Sequence, residues 1–191
     1  MIRRFDVLRA VIANARECPI VFTTGFTCRE AHAIKDAPNH LYMTGSMGMA
    51  PLLAIGIAGG TERTTIVVDG DGALLMNPGA LLVVRQEMPG NLLHLLVDNG
   101  IYESTGAQST SSAVFDLVGI ARACGYARVT ELDTLDDLPR IIAGLSGPHL
   151  VRIRVRPGGP RTGRVTIAPH ANFRRMRAWM AADRPEWSAG P

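Results

Sequence analysis

The chain has 191 residues, 47% of them hydrophobic and 19% charged, which is enough for a full core and too apolar for a disordered protein. Its longest uncharged apolar stretch, residues 47–60 (MGMAPLLAIGIAGG), holds 14 residues and four glycines, short of the roughly 20 needed to cross a bilayer. The formal charge of +3 is almost all arginine, since Lys35 is the sole lysine. Asp6 and Arg9 interrupt the N-terminal segment where a signal peptide would need an unbroken apolar core, so a cytoplasmic protein with no membrane partner is expected.

In chain order, helical periodicity over residues 2–16 precedes an apolar strand at 20–23. A helix at 28–36 and a strand at 40–43 follow, then a helix at 47–58 and a strand at 65–68. The next helix spans 73–86 and the next strand 92–97. Beyond them come a helix at 113–124, a strand at 127–130, a helix at 135–145, a strand at 150–155 and a last helix at 171–182. The strands are continuous Val/Ile/Leu runs rather than alternating ones, the mark of strands buried on both faces. The pattern predicts an α/β fold, a three-layer open parallel sheet with helices on both faces. One domain over residues 1–191 is expected, and residues 157–163 (PGGPRTG) set off a C-terminal arm from about 157 to 191.

Several features carry little chemistry of their own. Cys18, Cys28 and Cys124 are odd in number and lack a CxxC pair, so buried thiols are expected rather than disulfides or zinc. His32, His40, His94, His149 and His170 have no metal-ligand spacing, and His94, inside a strand, is read as a satisfied core or interface residue. The arginines from Arg152 to Arg177 suggest a nucleic-acid surface, but VRIRVR alternates as an amphipathic edge strand would, and no aromatics interleave for base stacking. No nucleic-acid partner is expected.

Residues 64–77, TTIVVDGDGALLMN, are different. An apolar run stops at two aspartates and resumes without another charge. A hairpin is excluded because residues 73–84 are too long and too uniformly apolar for a hairpin arm. A calcium loop starting at Asp69 would want an oxygen ligand, a glycine and a glutamate where Ala73, Leu74 and Ala80 stand. What remains is a strand ending at Val68 that turns through Gly70, Asp71 and Gly72 into a helix starting near Ala73. Strand carboxyl ends of open parallel sheets bind ligands, and a carboxylate within an anion site makes sense when a cation such as magnesium bridges it to a diphosphate. The next strand ends at Asp98 and Asn99, and Asn99 lies 28 residues after Asp71, one strand-helix-strand unit later. The amide oxygen of Asn99 and the carbonyl of Ile101 would extend the ligand set.

GDG at one strand end with Asn at the next resembles the diphosphate-binding signature of thiamine diphosphate (ThDP) enzymes. Residues 45–58 (GSMGMAPLLAIGIA) resemble the segment that holds the aminopyrimidine in that family. DNGIYESTGAQST, TTGFTCRE and PGGPRTGRVTIAP are similar to the cofactor-binding half of phosphonopyruvate and sulfopyruvate decarboxylases, so the resemblance covers most of residues 19–176.

The resemblance implies ThDP and Mg2+ as cofactors. Asp71, Asn99 and Ile101 would be the metal ligands, and Gly70, Gly72 and Ala73 would present backbone to the diphosphate. Thr24, Gly25, Ser104 and Thr105 would add donors at the same sheet edge, although each could equally cap a helix. Gly45, Ser46 and Met47 would contact the pyrimidine, with Met47 as the wedge that bends the cofactor. In the family a glutamate of a second, pyrimidine-binding module activates the cofactor. None of Glu17, Glu30, Glu62, Glu87, Glu103, Glu131 or Glu186 has a resembling context, so no catalytic residue is expected from this chain. A β-type subunit is therefore expected, completed by an α-type chain in a hetero-oligomer such as α2β2. The implied reaction is decarboxylation of 3-sulfopyruvate to sulfoacetaldehyde or of 3-phosphonopyruvate to phosphonoacetaldehyde, with the separate-subunit architecture leaning toward sulfopyruvate. Arg29 is the candidate for the substrate's second anion. Alternatives are another ThDP enzyme of the acetolactate synthase type, against which DNGIYESTGAQ speaks, and a non-catalytic ThDP-binding regulator.

Overall fold

The structure, a computed structural model, describes residues 2–182; Glu186 and the end of the C-terminal arm lie outside the described residues. Elements follow in the order α1 (Arg4–Asn14), β1 (Ile20–Phe22), α2 (Phe26–Ile34), β2 (His40–Tyr42), α3 (Ala50–Ala58), β3 (Thr65–Gly70), α4 (Asp71–Met76) and α5 (Gly79–Glu87). Then come β4 (Leu92–Asp98), β5 (Ile101–Tyr102), β6 (Gln108–Ser109), α6 (Leu117–Ala123), β7 (Arg128–Leu132), α7 (Leu138–Ala143), β8 (His149–Arg154) and α8 (Pro169–Ala181). Six strands form one parallel sheet in the order β2-β1-β3-β4-β8-β7, and β5 and β6 form a separate antiparallel ladder.

Side chains alternate across the sheet and divide the core in two. Ile20, Phe22, Ile66, Val68, Leu93 and Leu95 face one layer, where Val7, Leu8 and Val11 of α1, Ala31 of α2 and Leu138 and Ile142 of α7 cover them. Val21, Val67, Leu92, Leu96 and Leu150 face the other, beneath α3, α4, α5, α6 and α8. This is the expected three-layer α/β architecture. Each fully buried aliphatic or aromatic side chain contributes about 1.5–3 kcal/mol, so β3 and β4, buried almost throughout, are the thermodynamic spine.

The expected helix over 73–86 is two helices. The residue before Pro78 is disfavoured in helical backbone, Asn77 leaves it (φ −144°, ψ 67°), and α5 starts afresh at Gly79. β3 runs on to Gly70 and α4 begins at Asp71, so the turn expected between strand and helix is absent. The helix expected from Met47 starts at Ala50, because Ser46 (φ 52°) and Gly48 (φ 91°) hold a turn there. The edge-strand reading of VRIRVR is overturned, since β8 pairs with β4 on one side and β7 on the other.

The three cysteines are free, with Cys28 buried and Cys18 and Cys124 half-buried rather than buried. His94 is a core residue, its Nδ1 2.7 Å from the Tyr126 hydroxyl. The arm beyond residue 157 returns to the sheet. Asn172 of α8 is 1% exposed, accepts from the Tyr42 N–H at 2.7 Å and donates to the His40 carbonyl at 2.9 Å, closing the open edge of β2. No helix among the described residues is long and apolar enough to cross a membrane.

Candidate functional site

The carboxyl ends of β1, β3 and β4 lie side by side, so the loops that leave them meet at one cleft. It is lined by Thr24, Met47, Gly70, Asp71, Gly72, Ala73, Asn99, Ile101 and Ser104 among the expected residues, with Arg4, Tyr102 and Glu103 added. β3 and β4 are in register from Thr65↔Leu92 to Gly70↔Val97, which sets Asp71 and Asn99 just past the ends of neighbouring strands.

Asp71 is 2% exposed, yet carries a carboxylate. Its Oδ2 accepts a hydrogen bond from the Thr110 hydroxyl, and its Oδ1 lies 3.4 Å from the Asn99 N–H. Burial pushes its pKa above the usual carboxylate range, the Thr110 bond opposes that rise, and the nearby Asp98 charge adds to it. The Asn99 amide accepts from the Ile101 N–H at 3.1 Å and donates to Glu103 Oε2 at 2.9 Å.

Two glycines shape this cleft by close approach. A Cβ on Gly72 would stand 2.4 Å from Tyr102 Cε1, so the Tyr102 ring closes directly over the backbone of α4. A Cβ on Gly48 would stand 2.8 Å from Asn77 Cβ and 3.0 Å from the Ala73 carbonyl, and Asn77 Nδ2 donates to the Gly48 carbonyl at 3.1 Å. The turn that carries Met47 is thereby pressed against α4, and half-buried Met47 reaches the cleft from the opposite side. Gly70 differs, for a Cβ there would meet nothing within 4 Å. The space above it is open to an occupant of the cleft.

Buried charges brace the loop after β4. Asp98 accepts from Arg152 Nε at 2.9 Å and Nη2 at 2.5 Å, from the Ser112 hydroxyl at 2.8 Å and from the Gly100 N–H at 3.1 Å. Arg152 is thus the inward residue of the alternating arginines, while Arg154 is exposed and lies 3.4 Å from Glu131. Arg4 donates to Glu30 through Nε (3.1 Å) and Nη2 (2.6 Å), and to Glu103 through Nη1 (2.7 Å). Burial alone would raise the pKa of Glu103, but the Arg4 guanidinium, the Gly158 N–H and the Asn99 amide hold it below the usual range. Burial leaves Glu30 above its usual value despite Arg4.

Not every expected residue reaches the cleft. Gly25 sits between Thr24 and Phe26 with φ 89°, its position for a Cβ 2.9 Å from Ser104 Oγ. Thr105 is exposed in the turn between β5 and β6 and donates to the Tyr102 carbonyl. Gly45 and Ser46 line an adjacent groove with Phe173. Arg29 stacks 5.3 Å from the Phe26 ring and is not among the residues that line the cleft. Thr110, Tyr102, Glu103 and Arg4 also belong to this network, although none is among the expected site residues. The first three stand inside DNGIYESTGAQST, but nothing in the spacing marks Arg4, 99 residues from Glu103.

Among the described residues no group of three or more His, Cys, Asp and Glu could hold a metal by itself. A metal here would rely on Asp71 with amide and backbone oxygens, a hard donor set suited to Mg2+ that would also offset the cost of burying the Asp71 charge.

Comparison with known proteins agrees with this geometry. The family model "Thiamine pyrophosphate enzyme, C-terminal TPP binding domain" matches residues 24–153. A phosphonopyruvate decarboxylase of Streptomyces viridochromogenes is 42% identical over 98% of this chain and 48% of its own length. The sulfopyruvate decarboxylase subunit beta of Methanothermobacter thermautotrophicus is 36% identical over 83% of this chain and 84% of its own. The chain thus spans less than half of the Streptomyces relatives it matches, 44% and 48% of their lengths. In fold, the ThDP-dependent 4-hydroxybenzoylformate decarboxylase of Rhodococcus jostii superposes with a TM-score of 0.66 at 17% identity, covering 82% of this chain and 33% of that one. The α/β sheet, the glycine-lined cleft and the matched segment together identify the chain as a member of the thiamine pyrophosphate enzyme family, carrying its C-terminal TPP-binding domain.

Proposed function

We propose that this chain is the diphosphate-binding part of a ThDP- and Mg2+-dependent decarboxylase acting on a short 2-oxo acid with a second anionic group, 3-sulfopyruvate or 3-phosphonopyruvate. The observation that carries the reading is the convergence of Asp71 and Asn99 at adjacent strand ends on one cleft with Gly70, Gly72 and Ala73. When bound, ThDP supplies the electron sink for carbon–carbon cleavage.

The chain's own residues bind and orient. Asp71, the Asn99 oxygen and the Ile101 carbonyl would ligate Mg2+. The backbone of residues 70–73 would line the diphosphate, with Thr24 and Ser104 as hydroxyl donors at the rim. Met47, on the opposite wall, would support the bend of the cofactor. Tyr102, packed over Gly72, would cover the diphosphate end.

The activating glutamate is assigned to a pyrimidine-binding module on a separate α-type chain, giving a hetero-oligomer. The β-subunit names of relatives spanned over 84% and 91% of their lengths support this. Relatives of both substrate names support the substrate class. The test is to mix this chain with a candidate α-type chain, ThDP and Mg2+ and to measure carbon dioxide and aldehyde from each acid. Turnover of one acid only in the mixture supports the reading and names the substrate; no turnover of either acid in the mixture overturns it.

A further inference from the structure

We propose that Glu103 is a positioning residue that fixes which end of the Asn99 amide faces the metal, an inference that rests on reading Asp71 and Asn99 as magnesium ligands. The two ends of an asparagine amide have nearly the same shape, and a half-turn about its last torsion exchanges them. Only the oxygen has a lone pair for a cation. A metal-ligating asparagine therefore needs a neighbour that tells nitrogen from oxygen.

Glu103 is such a neighbour. An ionised carboxylate only accepts, so the end of Asn99 that lies 2.9 Å from Glu103 Oε2 must be the NH2 group. The oxygen is turned to the other side, where it accepts from the Ile101 N–H at 3.1 Å and keeps a second lone pair. Glu103 is itself held at both oxygens. Oε2 also accepts from Arg4 Nη1 at 2.7 Å, and Oε1 accepts from the Gly158 N–H at 2.8 Å. Arg4 is in turn gripped by Glu30 through two hydrogen bonds, and the side chains of Arg4 and Glu30 are only 7% and 1% exposed. A chain of charge-assisted bonds, buried at its Glu30–Arg4 end and part-buried at Glu103, thus runs from α2 through α1 and the loop after β4 to the amide, and the C-terminal arm adds the last tie. Such outer partners orient metal ligands, and losing one typically costs about 10–100-fold in metal affinity.

The test is a double-mutant cycle on the full chain, titrating Mg2+ at saturating ThDP by calorimetry. Glu103→Leu removes the acceptor and should weaken Mg2+ binding by about 10–100-fold. In an Asn99→Asp background, where both ligand oxygens are equivalent and no flip matters, Glu103→Leu should cause no loss. Metal-free melting of each protein separates a folding defect from a ligand defect. Equal losses in both backgrounds would mean that Glu103 merely holds the loop, and no loss in either would mean that the amide is oriented without it; both overturn the inference alone. Failure of the unsubstituted chain to bind ThDP with Mg2+ would overturn the site reading and the inference together.

Discussion

Tyr102 lies over Gly72 so closely that a methyl group on the glycine would come within 2.4 Å of the ring. The contact joins the loop after β4 to the start of α4, the two segments that carry Asn99 and Asp71. Gly72→Ala must displace either the ring or the helix. Overpacking of this kind costs about 1–3 kcal/mol. ThDP affinity should fall along with the denaturation midpoint, and a Gly72→Ala chain with unchanged affinity and stability would show that the ring moves aside freely.

Thr110 is the one side-chain donor to the buried Asp71 among the hydrogen bonds of the described residues. Thr110→Val keeps the shape and removes the hydroxyl. A buried carboxylate left without its donor costs about 1–3 kcal/mol, more for a full charge. The metal-free chain should be destabilised by at least that amount in urea, and added Mg2+ with ThDP should recover part of the loss. Equal stability of variant and parent would mean that water replaces the hydroxyl.

Arg152 and Asp98 are a buried ion pair, with side chains 7% and 5% exposed. Removing one partner leaves the other charge uncompensated, at about 3–5 kcal/mol. Arg152→Met should show this loss in urea denaturation and weaken ThDP binding, because Asp98 adjoins Asn99. A loss below about 1 kcal/mol, the range of a surface pair, would contradict the burial described.

His40 predicts an acid limb in stability. Burial is the main cause that pushes its pKa down, to about 4, with the Lys35 carbonyl opposing. The unfolded chain takes up this proton below about pH 6.5, whereas the folded one resists until about 4. Between these values the unfolded state binds more protons, so stability falls as pH falls, by on the order of 3 kcal/mol across the window. Urea midpoints should show this slope in the parent chain and a shallower one in His40→Asn. Identical slopes would assign the acid limb to other groups.

The sheet was legible because its strands are covered on both faces. Ile66, Val67 and Val68 or Leu92 through Val97 can be nothing but interior, and helical stretches alternate with them. The break at Asn77 was written in Pro78 but outweighed by the apolar letters around it. β5 and β6, two residues each and half-buried or exposed, carry no period to read. VRIRVR misled because alternation usually marks a solvated face, whereas Arg152 is buried by its pairing with Asp98. In the site, Asp71 and Asn99 could be found from spacing since one strand-helix-strand unit separates them. Arg4 could not, because only the tertiary packing of α1 against α2 brings it to Glu103.

The proposed function stands or falls with Asp71 and Asn99 holding a magnesium-bound diphosphate. The decisive measurement is isothermal titration of ThDP, with and without Mg2+, into the parent chain and into Asp71→Ala. Mg2+-dependent binding to the parent and none to the variant is the expected result. Normal affinity in Asp71→Ala would contradict it.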